Sequence, residues 1–477
     1  MQHQPVPSRA ITTTLYEPTN GFSYYFSKKS YFDLPYSLIQ VKATYNQIIQ
    51  YLKEEGILSS FTLNQTRIDI FPHFSVSAFF KGKEHPSGHG MSTHFSNDYE
   101  NEVAISKALG EGLERYFLYH PDHSKVTFKE KLALHDIKLS HLQNTPSFLK
   151  EQTDAVENIY SSLKNASTLL TTVETTDLYS HKKFLLPSQY VFWRYKENNE
   201  PYIYNPTTNG AGAHFSRESA ILSGLHEELQ RDTFLMYWLC KKTPQKIDPK
   251  SIQNKEVLAM IENLTGKGIK VHILILTTNY TIPTFIAVLE DERRDGSYFV
   301  SMGAGTDAGQ YEEAIRSSLH EAISVLPINV GFQGDVPIVT KDYKPFSDYS
   351  IGRLERIRMW RGAWAKENIS FFLSGKTLSL RTFSHQEIIA VSKKDLLQKI
   401  LPLLSLEFSK VLVYEVSSPI LSKLGYHVVR VFLPEALQLY LMEPLATLSS
   451  DRLATALNKK QKDLRLKDIN PLPHLFP

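Results

Sequence analysis

The feature that most constrains the fold of this chain is a pattern that occurs three times. The copies cover residues 104–111, 220–227 and 314–321, and each runs from Ala-Ile to a final glutamate. A glycine pair precedes each copy, at positions 88 and 90, 210 and 212, and 303 and 305. The first two copies also share a His-Phe-Ser sequence ahead of the apolar run. The repetition predicts one unit used three times, a flexible loop followed by a helix with a glutamate at a matching position.

The repeated glycines and glutamates indicate phosphate and metal chemistry. Glycine-rich loops bring backbone N–H groups close to phosphate, and grouped carboxylates hold Mg²⁺. On the first helix Glu111 and Glu114 are three positions apart and therefore share one face. The second helix carries a similar group: Glu227, Glu228, Gln230, Arg231 and Asp232.

Like charges at this spacing repel each other unless a cation lies between them. A divalent metal with nucleotide phosphate is one solution, and solvation at the surface is the other. Lys107 precedes Glu111 by four residues, so an exposed ion pair is an alternative for the first helix. None of the glycine pairs matches the P-loop or the dinucleotide-binding pattern in full, and each alone also fits a turn.

Composition excludes several classes of protein. A net charge of +3 over 477 residues argues against a nucleic-acid binder, which needs a strong basic excess. The single cysteine, Cys240, excludes an internal disulfide and a Cys₄ zinc site, and its apolar neighbours predict a buried structural thiol. Because no signal-like or membrane-length apolar run occurs, we expect a cytoplasmic protein without a membrane partner.

Hydrophobic periodicity predicts an α/β (α+β) protein. We expect an N-terminal accessory segment, 1–66, and a main domain, 67–477, with a helical insertion at about 122–175 and an extended proline-rich tail, 470–477. Predicted helices cover about 37–58, 99–119, 217–238 and a third repeat helix ending near 325. Predicted strands cover 67–80, 184–193, 271–277, 281–289, 297–302, 411–417 and 425–434.

These motifs resemble those of the YcaO family. The segments 88–90 and 108–116 resemble its first signature, and 209–213 with 218–232 resemble its second. The segment 303–321 is similar to its third glycine-and-helix element, and 425–434 to its late strand that ends in proline. The tail is similar to that of the cyclodehydratase members. The resemblance covers roughly 68–477 and implies a YcaO-type fold with mixed and antiparallel sheets flanked by the repeat helices.

The resemblance implies an ATP-dependent enzyme that acts on peptide backbone amides. In azoline-forming members a Cys, Ser or Thr side chain attacks the preceding carbonyl, ATP phosphorylates the oxyanion, and loss of phosphate gives a thiazoline or oxazoline. Such rings occur in bacteriocins and other ribosomally made, modified peptides. Thioamide or amidine formation by the same amide activation is an alternative, and a non-catalytic scaffold that binds peptide and partner is a third.

The resemblance also implies roles for individual residues. The expected Mg²⁺ ligands are Glu111, Glu114, Glu227 and Gln230. The expected nucleotide-binding residues are Gly88, Gly90, Lys107, Glu111, Arg115, Asn209, Gly210, Ser223, Arg231 and Arg316. The expected catalytic residues are Arg231, beside the phosphates, and Pro477, because the tail of cyclodehydratases approaches the active site. Histidines 94, 214, 226 and 320 are candidate bases, with packing or surface roles as the alternative.

Three residues depart from the family pattern. Gln230 stands where a second glutamate is usual, and its amide oxygen is a ligand without charge. Lys107 replaces a common serine, and His89 replaces a frequent lysine in the first loop. These changes either retune the site or weaken ATP hydrolysis.

The resemblance implies ATP and Mg²⁺ as cofactors and a ribosomal precursor peptide as the substrate. The chain lacks the paired Cys-x-x-Cys motifs of the ubiquitin-activating-enzyme-like partner that is fused in some members. We therefore expect leader recognition by a separate partner protein of that kind. A flavin-dependent dehydrogenase and a second copy of the chain, in a homodimer, are further expected partners.

Overall fold

The computed structural model describes residues 43–67, 72–81, 91–98, 101–119, 129–137, 142–154, 156–157, 161, 165, 168–193, 200–204, 207–292, 296–330, 343–347, 351–383 and 386–476. Its helices are α1 (Ala43–Glu54), α2 (Asn101–Tyr119), α3 (Leu134–Ile137), α4 (Ser188–Val191), α5 (Arg217–Leu239), α6 (Lys255–Gly266), α7 (Tyr311–Val330), α8 (Arg353–Met359), α9 (Gly362–Leu373), α10 (Lys393–Leu404), α11 (Pro419–Leu424) and α12 (Asp451–Ala456).

The strands form three sheets within the described residues. The first sheet has the order β1 (Leu58–Arg67), β2 (Pro72–Lys81), β3 (Met91–Asp98) and is antiparallel. The second has the order β11 (Tyr298–Gly305), β10 (Thr284–Glu292), β9 (Ile269–Leu276), β8 (Gln245–Ile247), β12 (Thr377–Leu378), with β12 parallel to β8. The third has the order β4 (Lys129–Ala133), β5 (Leu169–Asp177), β13 (Leu412–Glu415), β14 (His427–Phe432), β7 (Ala211–His214), with β6 (Lys183–Pro187) also on β5. The α/β class with mixed and antiparallel sheets is confirmed.

Each of the three sequence repeats forms a strand and the helix that follows it. The units are β3–α2, β7–α5 and β11–α7, and in each the helix packs on its own strand. The predicted repeat helices at 99–119 and 217–238 agree with α2 and α5. The third, predicted to end near 325, lies within α7, which ends at Val330. The three copies therefore place their helices in equivalent settings on three different sheets.

The glycines of the second and third repeats permit close packing between strand and helix. A Cβ on Gly212 would lie 2.2 Å from the carbonyl oxygen of Ala220 and 2.9 Å from the amide nitrogen of Gly224, both in α5. A Cβ on Gly303 would lie 2.3 Å from the carbonyl oxygen of Ser318 in α7. The prediction of a flexible loop is wrong here, because Gly303 and Gly305 lie within β11 and Gly212 within β7.

Helix α5 joins the second and third sheets through its two halves. Its first half, including Leu225 and Leu229, packs with Val429 and Val431 of the third sheet. Its second half, residues 234–239, packs with the second sheet. The helix begins at a Ser216 N-cap, whose side chain accepts a hydrogen bond from the Ser219 N–H. Because α5 packs on both sheets, it can position side chains that come from either sheet.

The tail segment 470–476 packs against the C-terminal half of α5. The indole N–H of Trp238 donates to the carbonyl of Leu472 at 2.9 Å, and the Asn470 side chain donates to the carbonyl of Trp238 at 3.0 Å. His474, Leu475 and Phe476 are buried. The segment has no helix or strand, as the prolines predict, and Pro477 lies outside the described residues.

Two parts of the chain differ from the sequence-based expectation. The domain boundary expected at residue 66 falls within the first sheet, at the end of β1. Strand β1 pairs with β2, on the other side of that boundary, from Leu58↔Phe80 to Arg67↔Pro72. The insertion expected to be helical at 122–175 contains β4 and the start of β5, both strands of the third sheet. The threonines and valine at 171–176 are β-branched and favour an extended strand. The charged residues of this segment, on which the helix prediction rests, do not by themselves favour a helix. No described helix is long and apolar enough to cross a membrane.

We predict that Gly212→Ala lowers the free energy of unfolding by about 1–3 kcal/mol, because the added methyl group meets the α5 backbone. Urea unfolding measures the change. Gly266→Ala is the matched control, since a Cβ at Gly266 meets nothing within 4 Å. Equal loss of stability in both variants would contradict the packing role.

Candidate functional site

Three elements bring charged side chains together near the middle of α5. Helix α2 packs on β7 and β14, and α5 packs on the same two strands. Arg430 lies in β14 opposite Ala211 of β7, next to the Asn209-Gly210 turn. We call the resulting group the charged cluster: Glu111, Glu114, Arg115, Glu227, Glu228, Arg231 and Arg430.

The α2 side of the cluster is one helical turn. The Arg115 guanidinium forms an ion pair with the Glu111 carboxylate, four residues earlier. Glu114 lies on the same turn, half-buried. The repulsion that the sequence predicts between Glu111 and Glu114 is therefore partly offset by the arginine.

The α5 side holds the glycine turn of the second repeat. Glu227 Oε2 accepts a 2.8 Å hydrogen bond from the Gly210 N–H, and Glu227 Oε1 lies 2.9 Å from Arg231 Nη2. Arg231 Nη1 donates to the side-chain oxygen of Asn209. Gly210 has a φ of +73°, a conformation that favours glycine. The predicted residues Asn209, Gly210, Glu227 and Arg231 thus form one connected unit.

A second layer of buried polar groups lies behind this unit. Gln438 donates to Glu228 Oε2 at 2.8 Å, and its oxygen accepts from Asn209 Nδ2 at 3.1 Å and from the Tyr204 hydroxyl at 3.2 Å. Arg430 Nη1 donates to the Thr207 carbonyl at 2.9 Å. Every polar atom of the Gln438 amide group therefore has a partner, which fixes its orientation.

Three carboxylates of the cluster, those of Glu114, Glu227 and Glu228, have raised pKa values. Burial, followed by the charge of Glu227, raises the pKa of Glu114 to about 8, although Arg115 opposes the shift. Burial raises the pKa of Glu228 to about 7 against the charge of Arg430, and burial also raises the pKa of Glu227 against Arg231. Burial therefore disfavours the charged form of each of these carboxylates more than the nearby arginines favour it.

Several buried polar atoms of the cluster have no hydrogen-bond partner among the described residues. They are Glu228 Oε1, Arg115 Nε, Arg231 Nε, and Arg430 Nε and Nη2. Such atoms are costly unless a further ligand satisfies them. Carboxylates that repel one another suit a cation, and guanidinium groups with free donors suit an anion. The residues therefore fit a magnesium ion together with a phosphate group.

The described residues contain no ready-made group of three or more His, Cys, Asp or Glu side chains in metal-binding geometry. Within the charged cluster, Arg115 holds Glu111 and Arg231 holds Glu227 in ion pairs. A metal ion would have to draw these carboxylates away from the arginines.

The structure also places the other predicted site residues. Lys107 and Ser223 are exposed on α2 and α5, and Gln230 is half-buried on α5. Arg316 pairs with Glu313 at 2.8 Å and lies 3.6 Å from Glu256 of α6. The first-loop residues Gly88 and Gly90 and the tail residue Pro477 lie outside the described residues.

The third repeat reproduces one contact of the second. Glu321 Oε2 accepts a 2.7 Å hydrogen bond from the Ala304 N–H, and Glu227 accepts from Gly210 in the same way, with the same spacing of 17 residues. In the third repeat the last glutamate of the pattern joins the helix to strand β11, and in the second it joins the helix to the turn just before β7. The matching glutamate therefore has a structural role in addition to any ligand role.

Asp232 anchors the segment that carries Gln438. It is fully buried, accepts from Arg452 Nη1 at 2.6 Å and Nη2 at 2.8 Å, and accepts from the Leu437 N–H at 2.8 Å. The aspartate of the Arg-Asp pair thus positions the chain behind the cluster, and its neighbour Arg231 faces the cluster.

The candidate bases and Cys240 can also be placed. His214 and His226 have pKa values lowered first by burial, and His320 lies 3.6 Å from Glu256. His94 lies on β3, where its side chain is outside the described set. Burial raises the pKa of the Cys240 thiol to about 11, which agrees with a structural thiol.

Sequence reasoning missed Arg430, Glu228 and Gln438 as parts of the site. Arg430 carried a signal, because it is a lone charge within the apolar strand 428–432 and a buried charge needs a partner. Glu228 is one of several charged residues on the same helix, so its own position carries no separate signal. Gln438 lies four residues after Pro434, in a segment without regular structure, so no hydrophobic periodicity indicates its position.

Comparison with known proteins identifies the family. The family model described as YcaO cyclodehydratase, ATP- and Mg²⁺-binding, matches residues 99–437, well over half of the chain. This protein therefore belongs to the YcaO family, as the motifs predict.

Solved structures share the fold. A heterocyclase in complex with substrate and cofactor has a TM-score of 0.67 at 15% identity, covering 90% of this chain and 57% of that one. The YcaO of Methanopyrus kandleri bound with AMPPCP and Mg²⁺ has a TM-score of 0.56 at 14% identity, covering 82% of this chain and 91% of that one. The E. coli microcin synthetase McbBCD complex with pro-MccB17 bound gives 0.54 at 13% identity, covering 87% of this chain and 96% of that one.

The chain spans just over half of that heterocyclase, and its matches span between 27% and 34% of the curated relatives. At these identities the similarity to the solved structures concerns the fold. The roles of individual residues depend on the geometry of the charged cluster.

We predict that the free energy of unfolding falls as the pH rises from the ordinary glutamate value of 4.5 to about 8. In that range folded Glu114 keeps a proton that the unfolded chain has lost, so the stability due to the raised pKa disappears as the folded carboxyl ionises. Glu114→Gln stays neutral and should show a smaller fall. Urea unfolding across this range measures the difference.

The control for this measurement is Glu262→Gln, a change at an exposed position on α6. It should keep the slope of the wild type. A Glu114→Gln variant with the slope of the wild type would show that Glu114 does not hold a proton near neutral pH.

Proposed function

We propose that this protein is an ATP- and Mg²⁺-dependent enzyme that forms azoline rings in a ribosomally made precursor peptide. The observation that carries the proposal is the charged cluster, in which crowded carboxylates and guanidinium groups with free donors lie together. Membership of the YcaO family supports the same assignment.

The proposed reaction balances as follows. The Cys thiol, or the Ser or Thr hydroxyl, loses its proton and adds to the carbon of the preceding carbonyl. The resulting oxyanion takes the γ-phosphoryl group of ATP and ADP leaves. The former amide nitrogen then loses its proton and forms a C=N bond as the C–O bond to phosphate breaks. The peptide loses the elements of one water, and ATP becomes ADP and phosphate.

In this proposal Glu111, Glu114 and Glu227, together with the neutral oxygen of Gln230, hold Mg²⁺. Bound Mg²⁺ would neutralise charge on the phosphates. Although Gln230 is neutral, Glu228 adds a buried carboxylate on the same turn of α5.

The arginines of the cluster have the complementary task. Arg231, Arg115 and Arg430 would bind the phosphates and stabilise the charge that develops during phosphoryl transfer, which depends chiefly on positioning and electrostatics. The Asn209-Gly210 turn, already fixed by Glu227 and Arg231, would orient the nucleotide. We propose nucleotide contacts for the other predicted residues as well: Gly88, Gly90, Lys107, Ser223 and Arg316.

The tail is proposed to approach the reacting amide. His474 lies within electrostatic range of Arg231, since burial and then the charges of Arg356 and Arg231 lower its pKa. Pro477 follows three residues later and is the proposed catalytic end of the tail.

We further propose that a leader-binding partner presents the peptide. The similar McbBCD chain comes from a complex with pro-MccB17 bound, which supports work in an assembly. A ubiquitin-activating-enzyme-like protein is the proposed leader-binding partner, and a flavin-dependent dehydrogenase and a second copy of this chain are further proposed partners.

We predict that calorimetry detects binding of AMPPCP with Mg²⁺ to the wild type. The Glu111→Ala/Glu227→Ala double variant should bind at least about 100-fold more weakly, because it removes two proposed metal ligands. Glu262→Ala, an exposed glutamate on α6, should bind as the wild type does. Absence of binding by folded wild type, even with its partner protein added, would favour the peptide-binding scaffold instead.

A further inference from the structure

Gln438 connects the charged cluster to a distant part of the chain. It lies 229 residues after Asn209, in a segment without helix or strand. Its amide nitrogen donates to Glu228 Oε2 at 2.8 Å, and its amide oxygen accepts from Asn209 Nδ2 at 3.1 Å. Asn209 Oδ1 in turn accepts from Arg231 Nη1. Hydrogen bonds therefore run in series from a buried carboxylate, through two neutral amide groups, to a guanidinium group.

This series of hydrogen bonds fixes the direction in which each amide group faces. Turning the Asn209 amide over would bring its nitrogen against Arg231 Nη1 and its oxygen against the Gln438 oxygen. Turning the Gln438 amide over would bring its oxygen against the Glu228 carboxylate. Each reversal places two donors or two acceptors together. Because Asn209 and Glu228 are each only 1% exposed, bulk water does not compensate for such a mismatch.

The backbone that carries Gln438 is held by contacts outside the charged cluster. The Leu437 N–H donates to Asp232 Oδ1 at 2.8 Å. On the other side, His474 donates to the Tyr440 carbonyl at 3.0 Å. Gln438 therefore reaches the cluster from a backbone that is fixed on both sides.

The guanidinium group of Arg231 is held at both of its terminal nitrogens. Nη1 donates to Asn209, and Nη2 lies 2.9 Å from Glu227 Oε1. Glu228 also lies within electrostatic range of Arg231, but Glu228 Oε2 accepts from Gln438 instead. Since an arginine beside buried carboxylates readily forms a bidentate pair with one of them, the neutral amide groups keep Arg231 from doing so.

We propose that Gln438 is a positioning residue, which acts through Asn209 to hold the Arg231 guanidinium group in the orientation that binds a phosphate group of the nucleotide. The inference rests on the proposed function, because it takes Arg231 to be a phosphate ligand. Gln438 acts without touching the phosphate. A side chain at 438 that loses its contact with Asn209 frees that amide to turn, and Arg231 then loses one of its two fixed contacts.

The first test is titration calorimetry of AMPPCP with Mg²⁺ on the full chain. Gln438→Met keeps the length of the side chain but removes its hydrogen bonds, and it should bind AMPPCP about tenfold more weakly than the wild type. Gln438→Asn keeps an amide group that is too short to reach Glu228 and Asn209 together. This milder variant should bind AMPPCP about threefold more weakly.

Gln152→Met is the matched control. Gln152 is fully buried, and its amide group accepts from the Leu149 N–H at 2.9 Å and donates to the Ala446 carbonyl at 2.9 Å. The substitution therefore removes a buried glutamine of the same kind, with a similar loss of stability, at a position that has no contact with Asn209. It should leave the affinity for AMPPCP unchanged.

The second test asks whether Gln438 acts through Arg231, and it needs no nucleotide. Urea unfolding of Gln438→Met, Arg231→Lys and the double variant gives a double-mutant cycle. The change in the unfolding equilibrium constant of the double variant should differ from the product of the two single changes by at least about threefold, because both residues bind Asn209.

Three outcomes would overturn the inference. They are independent effects in the cycle, wild-type affinity for AMPPCP in Gln438→Met, and an equal loss of affinity in Gln152→Met, which would trace the loss to general destabilisation. Absence of AMPPCP binding by folded wild type would instead contradict the proposed function. Coupling in the cycle would then still assign Gln438 to the positioning of Arg231, but not to phosphate binding.

Discussion

The hydrogen bond between the Gly210 N–H and the Glu227 carboxylate, with the close packing of β7 on α5, is the constraint on which the site depends. Gly212 lets the two backbones meet, and Glu227 then fixes the turn that precedes the strand. This contact sets where Arg231 reaches Asn209 and where Arg430 lies on the neighbouring strand. The third repeat has the same contact between the Ala304 N–H and Glu321. The shared glutamate of the motif therefore has a structural role, which is to connect the helix to the strand segment before it.

The charged cluster illustrates how a candidate binding site reduces the stability of its own fold. Glu114 holds a proton up to about pH 8 because burial and Glu227 disfavour its charge. Arg430 and Glu228 carry buried atoms without partners among the described residues. Such groups are destabilising unless a ligand completes them, and proteins keep them where function requires it. Asp232 and Arg452, which are fully paired, supply structure nearby.

The sequence predicted the elements with strong periodicity and the residues that lie in repeated motifs. Asn209, Gly210, Glu227 and Arg231 do meet, because helical spacing and one turn decide their positions. Arg430 and Gln438 reach the site through strand pairing and through a segment held by Asp232, and such long-range contacts leave no local pattern. The sequence predicts loops at Gly212, Gly303 and Gly305, which lie in strands. A glycine pair in a turn has the same sequence as one in a strand packed against a helix.

Proton release on nucleotide binding tests directly whether Mg²⁺ and the nucleotide bind in the charged cluster. Titration calorimetry of AMPPCP with Mg²⁺ near neutral pH, in buffers of different ionisation enthalpy, counts the protons released. We predict release of about one proton from the wild type, since a metal ion bound by Glu114 would displace its proton, and a clearly smaller release from Glu114→Gln. Tight binding without proton release, or the same release from both proteins, would place the metal and nucleotide away from the charged cluster.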